Sequence, residues 1–222
     1  MTGVALVTDG ARATRTVVCF GDSNTWGYEA SSGNRLGRWE RWPGVLQREL
    51  GDDVYVIEEG LGGRTTAFEL PGLLYRSGFA ALPMLLETHD PVDVIVISLG
   101  TNDLWVPGAT ARDAARGVGS LIDLVRATPY ETGQVPRILV VVPPPLSPLP
   151  GEWTEESDSL VNESATFAAA FREILRERDV PLVDLGELIT TSTADGIHFE
   201  AADHDAIGRA VAGAVRVVLG DA

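Results

Sequence analysis

The residues Gly21-Asp22-Ser23-Asn24-Thr25-Trp26-Gly27 follow the apolar run Thr16–Phe20. A serine there, beside an aspartate and between two glycines, is either a turn residue or a nucleophile held out at a strand tip. A serine hydroxyl is weak at neutral pH and needs a positioned base. That base is usually a histidine oriented by a carboxylate. The chain has three histidines. His89 ends a helical pattern and reads as a cation at a helix C-terminus. His204 falls in the first turn of the last helical pattern and reads as solvated. His198 closes the turn Asp195-Gly196-Ile197-His198. There a carboxylate three residues upstream can reach the near ring nitrogen and leave the far one for Ser23. Taken alone, this pair fits a metal ligand or a surface contact as well. As a metal site it lacks further convergent ligands, so neither a metal nor a cofactor is expected.

Acyl transfer also needs donors aimed where negative charge develops. Gly62-Gly63 exposes backbone N–H groups at one strand end, Asn102 offers an amide at another, and Ser23 has its own N–H. Each has an ordinary reading, as a Gly-Gly turn or an Asx cap. Their joint occurrence at successive strand ends favours one shared site. Asp22 is read as tying down its own loop through backbone hydrogen bonds. Asn24, Trp26, Trp153 and Ile197 are candidate substrate-binding residues, the last three as apolar walls. The competing reading for both tryptophans is loop packing. Arg64 could steer an anionic substrate, and an ion pair with one of the many acids is the simpler reading. Trp39 and Trp42, near Pro43, read as a helix-entry cluster, with a subunit contact as the alternative.

These residues need elements to bring them together. Strands are expected at Thr16–Gly21, Val54–Glu59, Val92–Leu99, Arg137–Val142 and Pro181–Leu185. Continuous β-branched runs such as VDVIVISLG mark strands buried on both faces, as in parallel sheets covered by helices. Helices are expected at Arg41–Leu50, after a Trp-Pro start, at Phe79–Thr88, and at Ala111–Ala127, Glu156–Arg178 and Ala201–Leu219, the last three with apolar residues at helical spacing. Such alternation gives right-handed βαβ units and a three-layer α/β/α sandwich. All the candidate loops then gather at the carboxyl edge of the sheet, where open α/β sheets bind ligands.

The chain of 222 residues is 45 % hydrophobic and 22 % charged, enough for one substantial core. The expected division is a flexible extension over residues 1–15 and one domain over 16–222. The net charge of −15 argues against nucleic acid and anionic membranes as partners. The lone Cys19 permits no internal disulfide and reads as a core residue. The first residues lack the pattern of a signal peptide, and no apolar run reaches the ~18 residues of a membrane helix. A cytoplasmic protein is expected.

Four blocks together carry a family resemblance: FGDSN around Ser23, GLGGRT around Gly63, GTND around Asn102 and DGIH ending at His198. With them the chain, from Thr16 to Leu219, resembles the SGNH hydrolases, also called the GDSL esterase/lipase family. The resemblance implies a flavodoxin-like α/β/α sandwich with about five parallel strands. It implies Ser23 as nucleophile, His198 as base and Asp195 as its orienter. The oxyanion would be held by the N–H groups of Ser23 and Gly63 and by the Asn102 side chain. The strings CFGDSNTWG, RWPGVL, VIEEGLGGRTT, LGTND, VVPPPLSPLP and DGIHF are most similar to the small bacterial arylesterase/acyltransferase branch. That implies a small-molecule ester substrate, hydrolysis of short acyl or aryl esters, and water, an alcohol or peroxide as acyl acceptor. It also implies a homo-oligomer. Asn24 stands where the family motif has leucine, which bears on acceptor preference more than on the chemistry. Alternatives on the same site are a carbohydrate acetyl-esterase, a thioesterase or a lysophospholipase. A non-catalytic or nucleotide-binding module is disfavoured, because GDSNTWG lacks the lysine of a phosphate loop and GLGGRT is not a dinucleotide fingerprint.

Overall fold

Five parallel strands form one sheet in the order β2-β1-β3-β4-β5: β1 (Arg15–Gly21), β2 (Val54–Gly60), β3 (Val94–Ser98), β4 (Arg137–Val142) and β5 (Leu182–Asp184). The computed structural model describes residues 14–70, 72–151 and 155–221. Most of the expected N-terminal extension therefore lies outside the described residues, and β1 begins at Arg15.

The β-branched runs are buried on both faces. Val18, Phe20, Ile95, Ile97, Val140 and Val142 meet α3 (Gly78–His89), α4 (Ala111–Ala127) and α6 (Phe167–Arg178). The alternate residues Val17, Cys19, Val94, Val96, Leu139 and Val141 meet α2 (Trp42–Leu50) and α7 (Ala201–Leu219). Each fully buried large side chain contributes about 1.5–3 kcal/mol, so the two-sided sheet is the main stabilising element. The long helices start where the sequence caps them. Thr110 and Asp113 form a reciprocal capping box at α4, and at α7 the Asp203 carboxylate accepts the Glu200 N–H at 3.0 Å.

Expectation and structure differ in four places. The helix expected over Glu156–Arg178 is two helices, α5 (Glu155–Ser164) and α6. The Ser164 hydroxyl donates to the Val161 carbonyl and accepts the Leu146 N–H, so the turn is drawn onto the loop after β4. The third strand is shorter than expected because Asp93 pairs with Thr16 partly through its side chain, Oδ2 accepting the Thr16 N–H at 2.7 Å. Trp42 is buried at the start of α2, whereas Trp39 is 48 % exposed beneath the Arg38 guanidinium. His204 is not solvated but fully buried. Its Nδ1 accepts the Trp42 N–H at 3.2 Å, one of the donors an α-helix leaves unpaired at its N-terminus.

Burial, with smaller repulsion from His198 and Arg41, pulls the His204 pKa down to about 4. The unfolded value is near 6.5. A depressed folded pKa means the neutral ring stabilises the fold above ~6.5, and that contribution is lost as pH falls toward 4. His204→Asn keeps an acceptor for Trp42 and removes the titration. From urea unfolding, the stability difference between wild type and this variant should shrink by about 3 kcal/mol between pH 7 and pH 4. A difference independent of pH would show that His204 does not titrate as a buried neutral ring.

Among the described residues, no helix is long and apolar enough to cross a membrane. The chain leaves β1 for β2 on one side and returns to β3 on the other. The crevice at this switch point lies at the carboxyl end of β1.

Candidate active site

β1 ends at Gly21, and α1 (Ser23–Trp26), a single turn that periodicity does not reveal, begins two residues later. The reversal is tight. A Cβ on Gly21 would lie 2.0 Å from Thr25 Oγ1, and one on Gly60 would lie 2.2 Å from the Trp26 nitrogen. Glycine at both strand ends lets α1 press against the sheet edge and presents Ser23 at its first position. Asp22 caps the turn, its Oδ1 accepting the Asn24 N–H at 2.9 Å.

His198 Nε2 lies 2.8 Å from Ser23 Oγ, and His198 Nδ1 lies 2.6 Å from Asp195 Oδ2. The other carboxylate oxygen accepts the N–H groups of Ile197 and His198 at 2.8 and 2.9 Å. Burial raises the Asp195 pKa, but those two N–H groups and the imidazole outweigh it and hold the carboxyl below its usual range. An ionised Asp195 fixes the imidazole tautomer with hydrogen on Nδ1, leaving Nε2 to accept from Ser23. The loop is pinned from outside. The Ser147 N–H donates to Gly196 O at 3.0 Å, and the Ser192 hydroxyl donates to Glu200 Oε1 at 2.7 Å. Tyr28 packs on the His198 ring, with centroids 4.2 Å apart.

Among the described residues, neither the N–H of Ser23 nor that of Gly63 is taken by another protein group. Asn102 lies in the short 3₁₀ turn Thr101–Trp105 after β3. Its Nδ2 donates to Arg64 O at 3.1 Å and, at the long limit, to Asp22 Oδ2 at 3.4 Å. The longer bond is the one an incoming oxyanion can replace. Asp22 is thus tied to its own loop, and it also touches the Asn102 amide. Burial pushes the Asp22 carboxyl up to about 7, against the pull of the Asn24 N–H and the Arg64 charge. Asp103, next in the turn, is fully buried and bonds to the Thr66 N–H and hydroxyl.

Arg64 fits neither expectation. It is buried, donates to the carbonyls of Gly21 and Glu59, and stacks over Phe20 at 4.3 Å. It ties the ends of β1 and β2 together beneath the site and has no carboxylate within ion-pair distance among the described residues. His89, at the end of α3, bonds Glu59 Oε1 at 2.8 Å.

A cavity of about 300 Å³ adjoins His198 and is lined by Gly63, Leu70, Leu73, Asn102, Trp105, Ile197 and His198. Ile197 is therefore a wall. Asn24 is buried inside α1 and Trp26 packs under Arg35, its ring 4.8 Å from the guanidinium; neither lines this cavity. Trp153 lies outside the described residues. Leu70, Leu73 and Trp105 were not expected. Trp105 carried a readable signal, because one turn of helix after Asn102 puts residue 105 on the same side. Among the described residues, no cluster of three or more His, Cys, Asp or Glu side chains could hold a metal ion.

The model of the GDSL-like lipase/acylhydrolase family matches residues 19–206. No curated protein gives a match. Among solved structures, a carbohydrate acetylesterase family member from Sinorhizobium meliloti is 40 % identical, with 93 % of this chain and 99 % of that one covered and a TM-score of 0.84. The aryl esterase of M. smegmatis is 36 % identical over 92 % of this chain and 99 % of that one, also at 0.84. A second carbohydrate acetylesterase from S. meliloti is 34 % identical over 92 % and 99 %, at 0.85. With strand-end loops, fold and sequence in agreement over nearly its whole length, the chain belongs to the GDSL-like lipase/acylhydrolase family, the SGNH hydrolases.

Proposed function

We propose that the protein is a serine esterase that cleaves short-chain acyl or aryl esters through an acyl-serine intermediate. The observation that carries this reading is the relay Asp195–His198–Ser23, at 2.6 and 2.8 Å, beside two N–H groups that are unpaired among the described residues. Ser23 Oγ attacks the ester carbonyl as His198 Nε2 takes its proton. Asp195 holds the tautomer and steadies the imidazolium. The N–H groups of Ser23 and Gly63 and the Asn102 amide stabilise the tetrahedral oxyanion. His198 then returns its proton to the departing alcohol. Water attacks the acyl-serine with the same histidine as base, or an alcohol does and the acyl group is transferred.

The apolar walls Leu70, Leu73, Trp105 and Ile197 around about 300 Å³ support a short acyl or aryl group. p-Nitrophenyl acetate should therefore give a burst of nitrophenolate equal to the enzyme concentration, and a serine-directed phosphonate should add one adduct in intact mass. A nitrophenyl ester series from acetyl to dodecanoyl should peak at the short end. A peak at dodecanoyl would favour the lysophospholipase alternative. The 40 % identical carbohydrate acetylesterase supports a second reading, deacetylation of sugars. That reading wins if kcat/KM on an acetylated xylo-oligosaccharide exceeds that on phenyl acetate. Acyl transfer is read from the rise in nitrophenolate release with added methanol.

A homo-oligomer is part of the proposal, supported by the exposed Leu73, Leu74, Tyr75, Phe79 and Met84, of which Leu73 also lines the cavity. So is a reducing, cytoplasmic setting, supported by the free and buried Cys19.

A further inference from the structure

Leu61–Arg64 is a β-turn closed by the Arg64 N–H on Leu61 O at 3.0 Å. Gly63 occupies its third position with φ +73°, while Gly62 has no positive φ. That combination is a type II turn. A type II turn converts to type I when its central peptide rotates by about half a turn, and Gly62-Gly63 offers no side chain to resist the rotation. The central peptide is the one whose N–H serves as the Gly63 oxyanion donor in the mechanism proposed above, on which this inference rests. Because a trans peptide is planar, its carbonyl and its N–H point to opposite sides. A flip would replace the donor with a carbonyl oxygen facing the developing negative charge.

Arg76 meets that carbonyl. Its Nε donates to Gly62 O at 2.8 Å, and its Nη1 donates to Leu74 O at 2.7 Å. Its own carbonyl accepts the Thr65 N–H at 3.0 Å, anchoring the arginine immediately beyond the turn. Acids outnumber bases 32 to 17 in this chain. Even so, Arg76 has no carboxylate within ion-pair distance among the described residues, and its charge goes to two backbone carbonyls. A charge-assisted bond of this kind is about twice as strong as a neutral one.

We propose that Arg76 is a positioning residue of the oxyanion hole. It locks the Leu61–Arg64 turn in its type II state and so keeps the Gly63 N–H turned toward the reacting carbonyl. Arg76 touches no substrate in this scheme.

The test compares wild type, Arg76→Ala and Arg76→Lys with p-nitrophenyl acetate, together with phosphonate labelling of Ser23. Complete loss of an oxyanion donor costs about 10²–10³ in turnover. A turn free to flip should cost less, so Arg76→Ala should lower kcat about 10- to 100-fold with KM changed less than about 2-fold. Millimolar guanidinium should restore several-fold of that loss, and Arg76→Lys, which keeps a cationic donor, should retain more activity than Arg76→Ala. A merely structural loss would not respond to guanidinium. Unchanged kcat in Arg76→Ala, or a raised KM with kcat kept, overturns the proposal; the second result would assign Arg76 to holding the Leu73 wall. If wild type itself forms no Ser23 adduct, the reading of the site fails and this inference fails with it.

Discussion

Ser23→Ala is expected to lower kcat for p-nitrophenyl acetate by about 10⁶, the scale seen when a serine hydrolase loses its nucleophile. The loss should be confined to chemistry. Ser23 opens a four-residue turn whose cap is Asp22 and whose sheet-side residue Thr25 is fully buried. Removing one hydroxyl disturbs neither, so the thermal midpoint should stay within a few degrees. The backbone N–H of residue 23 survives, as do Gly63 and Asn102. The variant should therefore still bind ester and still show the residual 10³–10⁴ over water that an oxyanion hole and binding alone supply. Burst phase and phosphonate adduct should both vanish. A folded variant that kept its burst would place the acyl group on another residue and remove the basis of the mechanism.

Asn102→Ala is expected to lower kcat by about 10²–10³ with little change in KM. Its amide spans two parts of the site, Arg64 O at 3.1 Å and Asp22 Oδ2 at 3.4 Å. Alanine leaves both acceptors one donor short, at a cost of about 1–3 kcal/mol of stability. A thermal midpoint measured beside the kinetics separates that cost from the catalytic one. Near-native turnover in this variant would mean that the oxyanion is held by the two backbone N–H groups alone.

The centre of the sheet was legible because β3 and β4 carry unbroken runs of valine, isoleucine and leucine, as strands covered on both faces do. The expected limits of β4, α4 and α7 agree with the structure. Short elements were not readable. One turn of helix at Ser23 and one at Asn102 are too brief to show a period, and they exist because strand-end glycines let them dock. The break between α5 and α6 depends on Leu146, distant in sequence, using the Ser164 hydroxyl. His204 was misread as solvated although it extends the stripe of Ile207, Val211 and Val215; its polarity hid its place in that stripe. The juxtaposition of Ser23, Asp195 and His198 follows from strand-end loops sharing one edge. The cavity walls did not follow, because Leu70 and Leu73 arrive on a loop whose path the sequence does not state.

Ser23 and His198 are 175 positions apart in the chain, and the loop between Asp195 and His198 leads directly into α7, which closes one face of the sheet. During synthesis, Ser23, Gly63 and Asn102 leave the ribosome long before His198. If Ser23 and His198 act as proposed, a chain still short of residue 198 carries a serine without its base. On that reading, ester cleavage is expected only once the last loop and α7 have been made and docked, and activity in a lysate should count finished molecules. The same arrangement can be tested by two-piece reconstitution, in which a fragment bearing β5, the last loop and α7 should restore turnover to one bearing the elements before β5.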